Sequence, residues 1–171
     1  HNVKIIHEYH HIIDIMKTQD DMLVAAYTNE TCHRITKHVL GSLENKLSLG
    51  TRLINRKRFY VKGGHRMHLN YIYEVKDVNE ELNMVLISEI KATTMDDEDE
   101  VSFWVDSDHV LKHMHWHRTR TSHCLQGTSW NGGVIVCDVD RKHLVNRAFF
   151  YVTMTRARDF DRLFVYIPMS S

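Results

Sequence analysis

No apolar run in this chain approaches the roughly 18 residues that a membrane-spanning helix needs, and no charged stretch followed by an apolar one opens it as a signal peptide would. The expectation is a protein without a membrane anchor. Cysteine is scarce as well: Cys32, Cys124 and Cys137 are odd in number and widely spaced. That pattern argues against a disulfide framework and for reduced thiols in an intracellular compartment, cytoplasm or nucleus, and against secretion. A charge excess of either sign is missing, because Lys plus Arg and Asp plus Glu balance at 22 each. Net charge therefore carries no signal for a polyanionic partner. Glycine is limited to seven residues, none in a Gly-x-x-x-x-Gly-Lys-Ser/Thr context, so these residues contain no phosphate-binding loop. Cys-x-x-Cys, a compact zinc-ligand spacing, is also absent. There is no internal repeat and no low-complexity segment.

What is present suffices for a buried core. With 171 residues, 43% of them hydrophobic and 26% charged, the chain has the size of one domain, or of one domain carrying a small insertion. Charge is uneven along it. Acidic residues concentrate in Asp96 to Glu100, a run that reads as a solvated loop, and basic ones gather at Arg52 to Arg58, His113 to Arg120 and Arg156 to Arg162. Those clusters suggest a local basic face. The chain starts at His1 without a methionine, from which a piece of a longer polypeptide is expected.

The opening segment reads as α/β. Ile12, Ile13 and Met16 suit a short helix between His7 and Met16. Met22 to Tyr27 is a continuous apolar run of strand length, the pattern of a strand buried on both faces of a parallel sheet. Thr28 or Asn29 would cap a following helix, with Cys32, Ile35, Val39 and Leu40 on one face and Gly41 at its end. From about Leu47 to Val110 the character changes to alternating β-branched and aromatic residues. Strands are expected at Thr51 to Asn55, Asn70 to Val78, Leu82 to Ile90 and Val101 to Val105. An α/β style then returns, with strands at His117 to Ser122, Gly133 to Val139 and Arg162 to Ile167 and a helix around Val145 to Arg158. The expected organisation is one α/β domain, residues 1–47 and 111–171, interrupted by an all-β insertion at 48–110.

Two segments carry most of the functional signal: Thr121-Ser-His-Cys-Leu-Gln-Gly-Thr-Ser-Trp130 and Tyr151-Val-Thr-Met-Thr-Arg-Ala-Arg158. They resemble the fifth and sixth signature motifs of superfamily 1 helicases, of the RecD, Dda and UvrD kind. In that family the fifth precedes a buried strand and the sixth lies on a helix before the last strand. Ala26-Tyr27-Thr28-Asn29 resembles the fourth motif, and the three stand in the family's order. The resemblance implies a RecA-like parallel sheet with helices on both faces. For the middle of the chain it implies the small antiparallel β-barrel of the RecD and Dda branch, through Gly50 to Ile54 and Asn70 to Val75. Two positions depart from the pattern: Cys124 stands where lysine is usual, and Ser129 where glutamate is common.

The implied roles have a physical logic. A phosphoryl-transfer motor hydrolyses ATP between two lobes, and a cation from the second must neutralise charge developing on the γ-phosphate. Arg156 is the candidate, because a guanidinium is always charged and bridges phosphate oxygens with a planar fork. Gln126 and Gly127 would contact nucleotide. Thr28, Asn29, Thr121, His123 and Thr128 would hold the phosphates of a single strand with neutral donors, which give register without reading sequence. Thr28 and Asn29 have helix capping as the alternative. Arg58, in the basic and aromatic stretch Arg52 to Tyr60, would clamp the strand from the barrel. The implied partners are single-stranded nucleic acid, DNA over RNA with 5′ to 3′ movement, and the N-terminal motor lobe of the same polypeptide. That lobe would bind most of the implied cofactors, ATP and Mg2+.

Two other readings compete. His109, His113, His115 and His117 with Cys124 invite zinc, since His109 and His113 are spaced to share a helical face; the expectation, however, is no metal site. The missing phosphate loop leaves a second alternative, a non-catalytic nucleic-acid-binding module with a motor-like fold.

Overall fold

The computed structural model describes residues 3–61, 63–90, 101–125, 130–140 and 162–169, leaving aside the side chains of Ser122 and His123. The chain divides into two compact units, His1–Gly41 with Arg118–Ser171, and Ser42–His117. In chain order the first unit begins with β1 (Lys4–Ile6), α1 (Tyr9–Thr18), β2 (Leu23–Ala26) and α2 (Asn29–Leu40). The second contains a 3-10 turn (Leu43–Leu47), β3 (Arg52–Asn55), β4 (Phe59–Tyr60), β5 (Arg66–Met67), β6 (Ile72–Asn79), β7 (Met84–Glu89), β8 (Ser102–Asp106), α3 (Ser107–His113) and β9 (Met114–Trp116). The first unit then resumes with β10 (Thr119–Thr121), α4 (Ser122–Leu125), β11 (Val134–Val136) and β12 (Leu163–Tyr166).

In the first unit the strands form one parallel sheet in the order β1-β12-β11-β2-β10. The apolar runs explain which strands are central. Every residue of β2 and β11 is buried, as a strand covered on both faces requires. The helix α2 begins where the sequence suggests. Thr28 is extended at φ −111° and its Oγ1 accepts from the Thr31 amide at 3.3 Å, while Gly41 closes the helix in the left-handed region at φ +84°. Cys32 and Ile35 point into the core as expected, whereas Val39 and Leu40 are only half-buried. Ile12 and Met16, one turn apart, bury one face of α1. Buried Arg118 finishes that helix, its guanidinium donating to the carbonyls of Met16 at 3.0 Å, Met22 at 3.0 Å and Gln19. It thereby satisfies carbonyl groups that a helix end leaves without intrahelical partners.

The second unit is antiparallel. Its sheet runs β8-β7-β6-β3-β9, and β4 pairs with β5 as a separate hairpin. Leu53, Met67, Tyr73, Val75, Val85, Ile87, Val105, Val110 and Met114 make its core. Lys46 is buried beside it, donating to the carbonyls of Leu111 at 2.9 Å and Met114 at 2.8 Å; burial pushes its amine down to about 8.

The chain is thus a mixed α/β protein with one parallel and one antiparallel five-stranded sheet. Several elements are not anticipated by the sequence reading. Strand β1 is three residues long with only Ile6 buried, so it presents no alternation to detect. The hairpin strands β4 and β5 have two residues each. The strand expected over His117 to Ser122 is confined to Thr119–Thr121. The helix expected around Val145 to Arg158 lies outside the described residues.

Candidate functional site

Because the first unit's strands are all parallel, their carboxyl ends emerge along one edge, which is where open α/β sheets gather their ligands. The chain leaves β2 through Tyr27, Thr28 and Asn29 and leaves β10 through Ser122 and His123. These two strands are neighbours, with Thr121 opposite Ala26. The turn resembling the fourth motif and the start of the segment resembling the fifth therefore leave adjacent strands at the same edge.

The side chains at that edge have distinct environments. Asn29 is exposed at the first turn of α2. Thr28 is half-buried and caps the helix, so its hydroxyl is already engaged. Thr121 is buried, and its hydroxyl donates to the Cys124 sulfur at 3.4 Å. Cys124 is itself 1% exposed: where the resembled motif has lysine, this chain places a small apolar group in the core. Trp130 is half-buried against the core cluster that includes Leu23 and Leu125, and its indole N–H donates to the Asp21 carbonyl at 2.8 Å. Gln126, Gly127, Thr128, Ser129, Arg156 and Arg158 lie outside the described residues, as does the His123 side chain. Arg58 belongs to the other unit, exposed between β3 and β4.

One residue that the sequence reading passes over organises this edge. Asp138 follows β11, and the Cys137 amide still bonds to the Ala25 carbonyl at 2.9 Å. At Asp138 the backbone turns into the left-handed region, φ +69°, where Asp and Asn are better tolerated than other side-chain-bearing residues. Its carboxylate is buried and reaches the β2 to α2 turn. Oδ2 accepts from the Tyr27 and Thr28 amides, each at 3.1 Å, and from the Thr28 hydroxyl at 3.2 Å. Oδ1 accepts from the Thr31 hydroxyl at 2.8 Å. The available signal was an aspartate directly after a wholly apolar strand; its partners, more than a hundred residues earlier, were not readable locally.

Several members of the basic clusters are buried or paired among the described residues. Arg118 and Arg120 are buried, and Arg162 pairs with Asp21 at 2.5 Å. In the other unit Arg52 pairs with Glu74 at 3.2 Å, while Lys57 and Arg58 remain exposed. Among the described residues no group of three or more His, Cys, Asp or Glu side chains is placed to hold a metal ion. His109 and His113 do share a face of α3, with ring centroids 5.1 Å apart, but His109 is buried in a stack on Phe59 at 4.4 Å. Burial drives the Cys32 and Cys137 thiols upward, which keeps them protonated and poor as nucleophiles or metal ligands. No helix among the described residues is long and apolar enough to cross a membrane.

No family model matches this chain, and no curated protein matches its sequence.

Proposed function

We propose that this chain is the C-terminal motor lobe of an ATP-driven, superfamily 1 type nucleic-acid helicase, with a RecA-like parallel sheet and with its antiparallel unit acting as the inserted small barrel. The observation that carries this reading is the pairing of Thr121 with Ala26. It sets the turn that resembles the fourth motif and the start of the segment that resembles the fifth side by side at the carboxyl edge, where one strand of nucleic acid can touch both. Exposed Asn29 suits contact with a phosphate. Thr28 and Thr121, whose hydroxyls are engaged, shape the two turns. The resemblance gives His123 and Thr128 the same role toward strand phosphates, and gives Arg58 that of a strand-binding cation. Gln126 and Gly127 contact nucleotide, and Arg156 is the arginine finger. ATP and Mg2+ are held mainly by an N-terminal lobe of the same polypeptide, since this chain has no phosphate loop.

The test is ATP hydrolysis by the polypeptide carrying both lobes, with and without single-stranded DNA or RNA of matched length. Stimulation by the single strand, stronger with DNA, is the expected result. Strand binding with no hydrolysis would replace this reading by the second one, a non-catalytic nucleic-acid-binding module.

A further inference from the structure

We infer that Asp138 is a positioning residue that fixes the Tyr27–Asn29 turn for contact with a single strand, and that phosphate contact there includes the Asn29 side chain. This rests on the motor reading above and deepens it.

The start of a helix ordinarily attracts anions, because its first amides lack intrahelical partners and the helix dipole favours negative charge. The Asp138 carboxylate accepts from the amides of Tyr27 and Thr28, just before the first helical residue, and from the hydroxyls of Thr28 and Thr31. Thr28 in turn caps the 12-residue helix through the Thr31 amide. A phosphate approaching the Tyr27 and Thr28 amides would meet a carboxylate that already accepts from both. Asn29, the first helical residue, is exposed and offers its side-chain N–H at that helix start. Asp138 also lies in sequence between the segments that carry Gln126 and Arg156. One carboxylate thus ties the end of β11, from which the chain proceeds to Arg156, to the turn that offers Asn29.

The backbone supplies a clean test. At φ +69° a glycine is unstrained and an asparagine is tolerated, whereas alanine would add strain of its own. Asp138→Gly therefore removes the carboxylate without forcing the chain. Asp138→Asn keeps one acceptor oxygen for the amides and can donate to the Thr31 hydroxyl with its amide nitrogen. The measurement is the Kd for a fluorescent oligo-dT single strand, made on the polypeptide carrying both lobes for wild type, Asn29→Ala, Asp138→Gly, Asp138→Asn and Asn29→Ala/Asp138→Gly. The inference predicts binding about 10-fold weaker for Asp138→Gly, about 1.4 kcal/mol, with most of it restored in Asp138→Asn. It also predicts a double variant no weaker than the weaker single one, because both changes remove the same contact. A merely structural role would leave the two losses multiplying. Wild-type affinity in Asp138→Gly, or losses that multiply, overturns the inference alone; no strand binding by the wild type overturns the motor reading and the inference with it. If Asp138→Gly does not fold, Thr31→Val carries the same cycle, since it deletes the donor on Oδ1 at nearly constant shape, with a smaller loss expected.

Discussion

His109 shows what burial does to a titratable side chain. Its ring is 7% exposed, stacked on Phe59, and its Nε2 has no hydrogen-bond partner among the described residues. Desolvation, then the nearby His113 and Lys57, pull its pKa down to about 4. Between the ordinary value near 6.5 and about 4, the unfolded chain takes up a proton that the folded chain refuses. Stability is thus fully present above pH 6.5 and falls as the pH drops towards 4, by up to about 3 kcal/mol. In chemical denaturation of the protein followed from pH 7 to 4, His109→Phe should flatten that decline relative to wild type. Parallel slopes would show that His109 is not its source. At this scale the sequence was informative where a side chain acts on near neighbours, as Thr28 does in capping α2. It was silent where partners are distant, as for Asp138 and Tyr27. It also suggested a local basic face from three clusters, to which buried Arg118 and Arg120 do not contribute.

Among the elements, β11 shows how tightly one strand's approach is specified. Its three residues are preceded by Gly132 and Gly133. A Cβ on Gly132 would lie 1.9 Å from the Asp21 carbonyl oxygen, and one on Gly133 would lie 2.7 Å from that of Arg162. The first clash is with backbone whose oxygen already accepts the Trp130 indole N–H, so it cannot be relieved by a side-chain rotation. Gly132→Ala should destabilise the first unit by about 2–3 kcal/mol, within the range seen for overpacked cores, read as a lowered thermal midpoint. An unchanged midpoint would mean that the approach of these segments is looser than described. Continuous apolar runs made β2 and β11 legible, and alternation revealed β6, β7 and β8. Strands as short as β1, β4, β5 and β9 have too few residues to display a period.

Over the whole molecule, the change from α/β to all-β patterning and back foretold a parallel sheet in one part and an antiparallel one in another, and both are present. The resemblance to a motor lobe drew on motif spelling; in the fold, the turn resembling the fourth motif and the start of the segment resembling the fifth leave neighbouring strands. Under the proposed function the chemistry at the nucleotide falls to Arg156, which lies outside the described residues, so that assignment is tested by activity. The decisive measurement is the turnover of single-strand-stimulated ATP hydrolysis by the polypeptide carrying both lobes, comparing wild type with Arg156→Ala at saturating single strand. An arginine finger contributes about 10³ to 10⁵ in rate, so a loss of at least about 10³-fold with strand affinity retained is the predicted result. Turnover equal to wild type would contradict the assignment of Arg156 and, with it, the account of this chain as the second lobe of a motor.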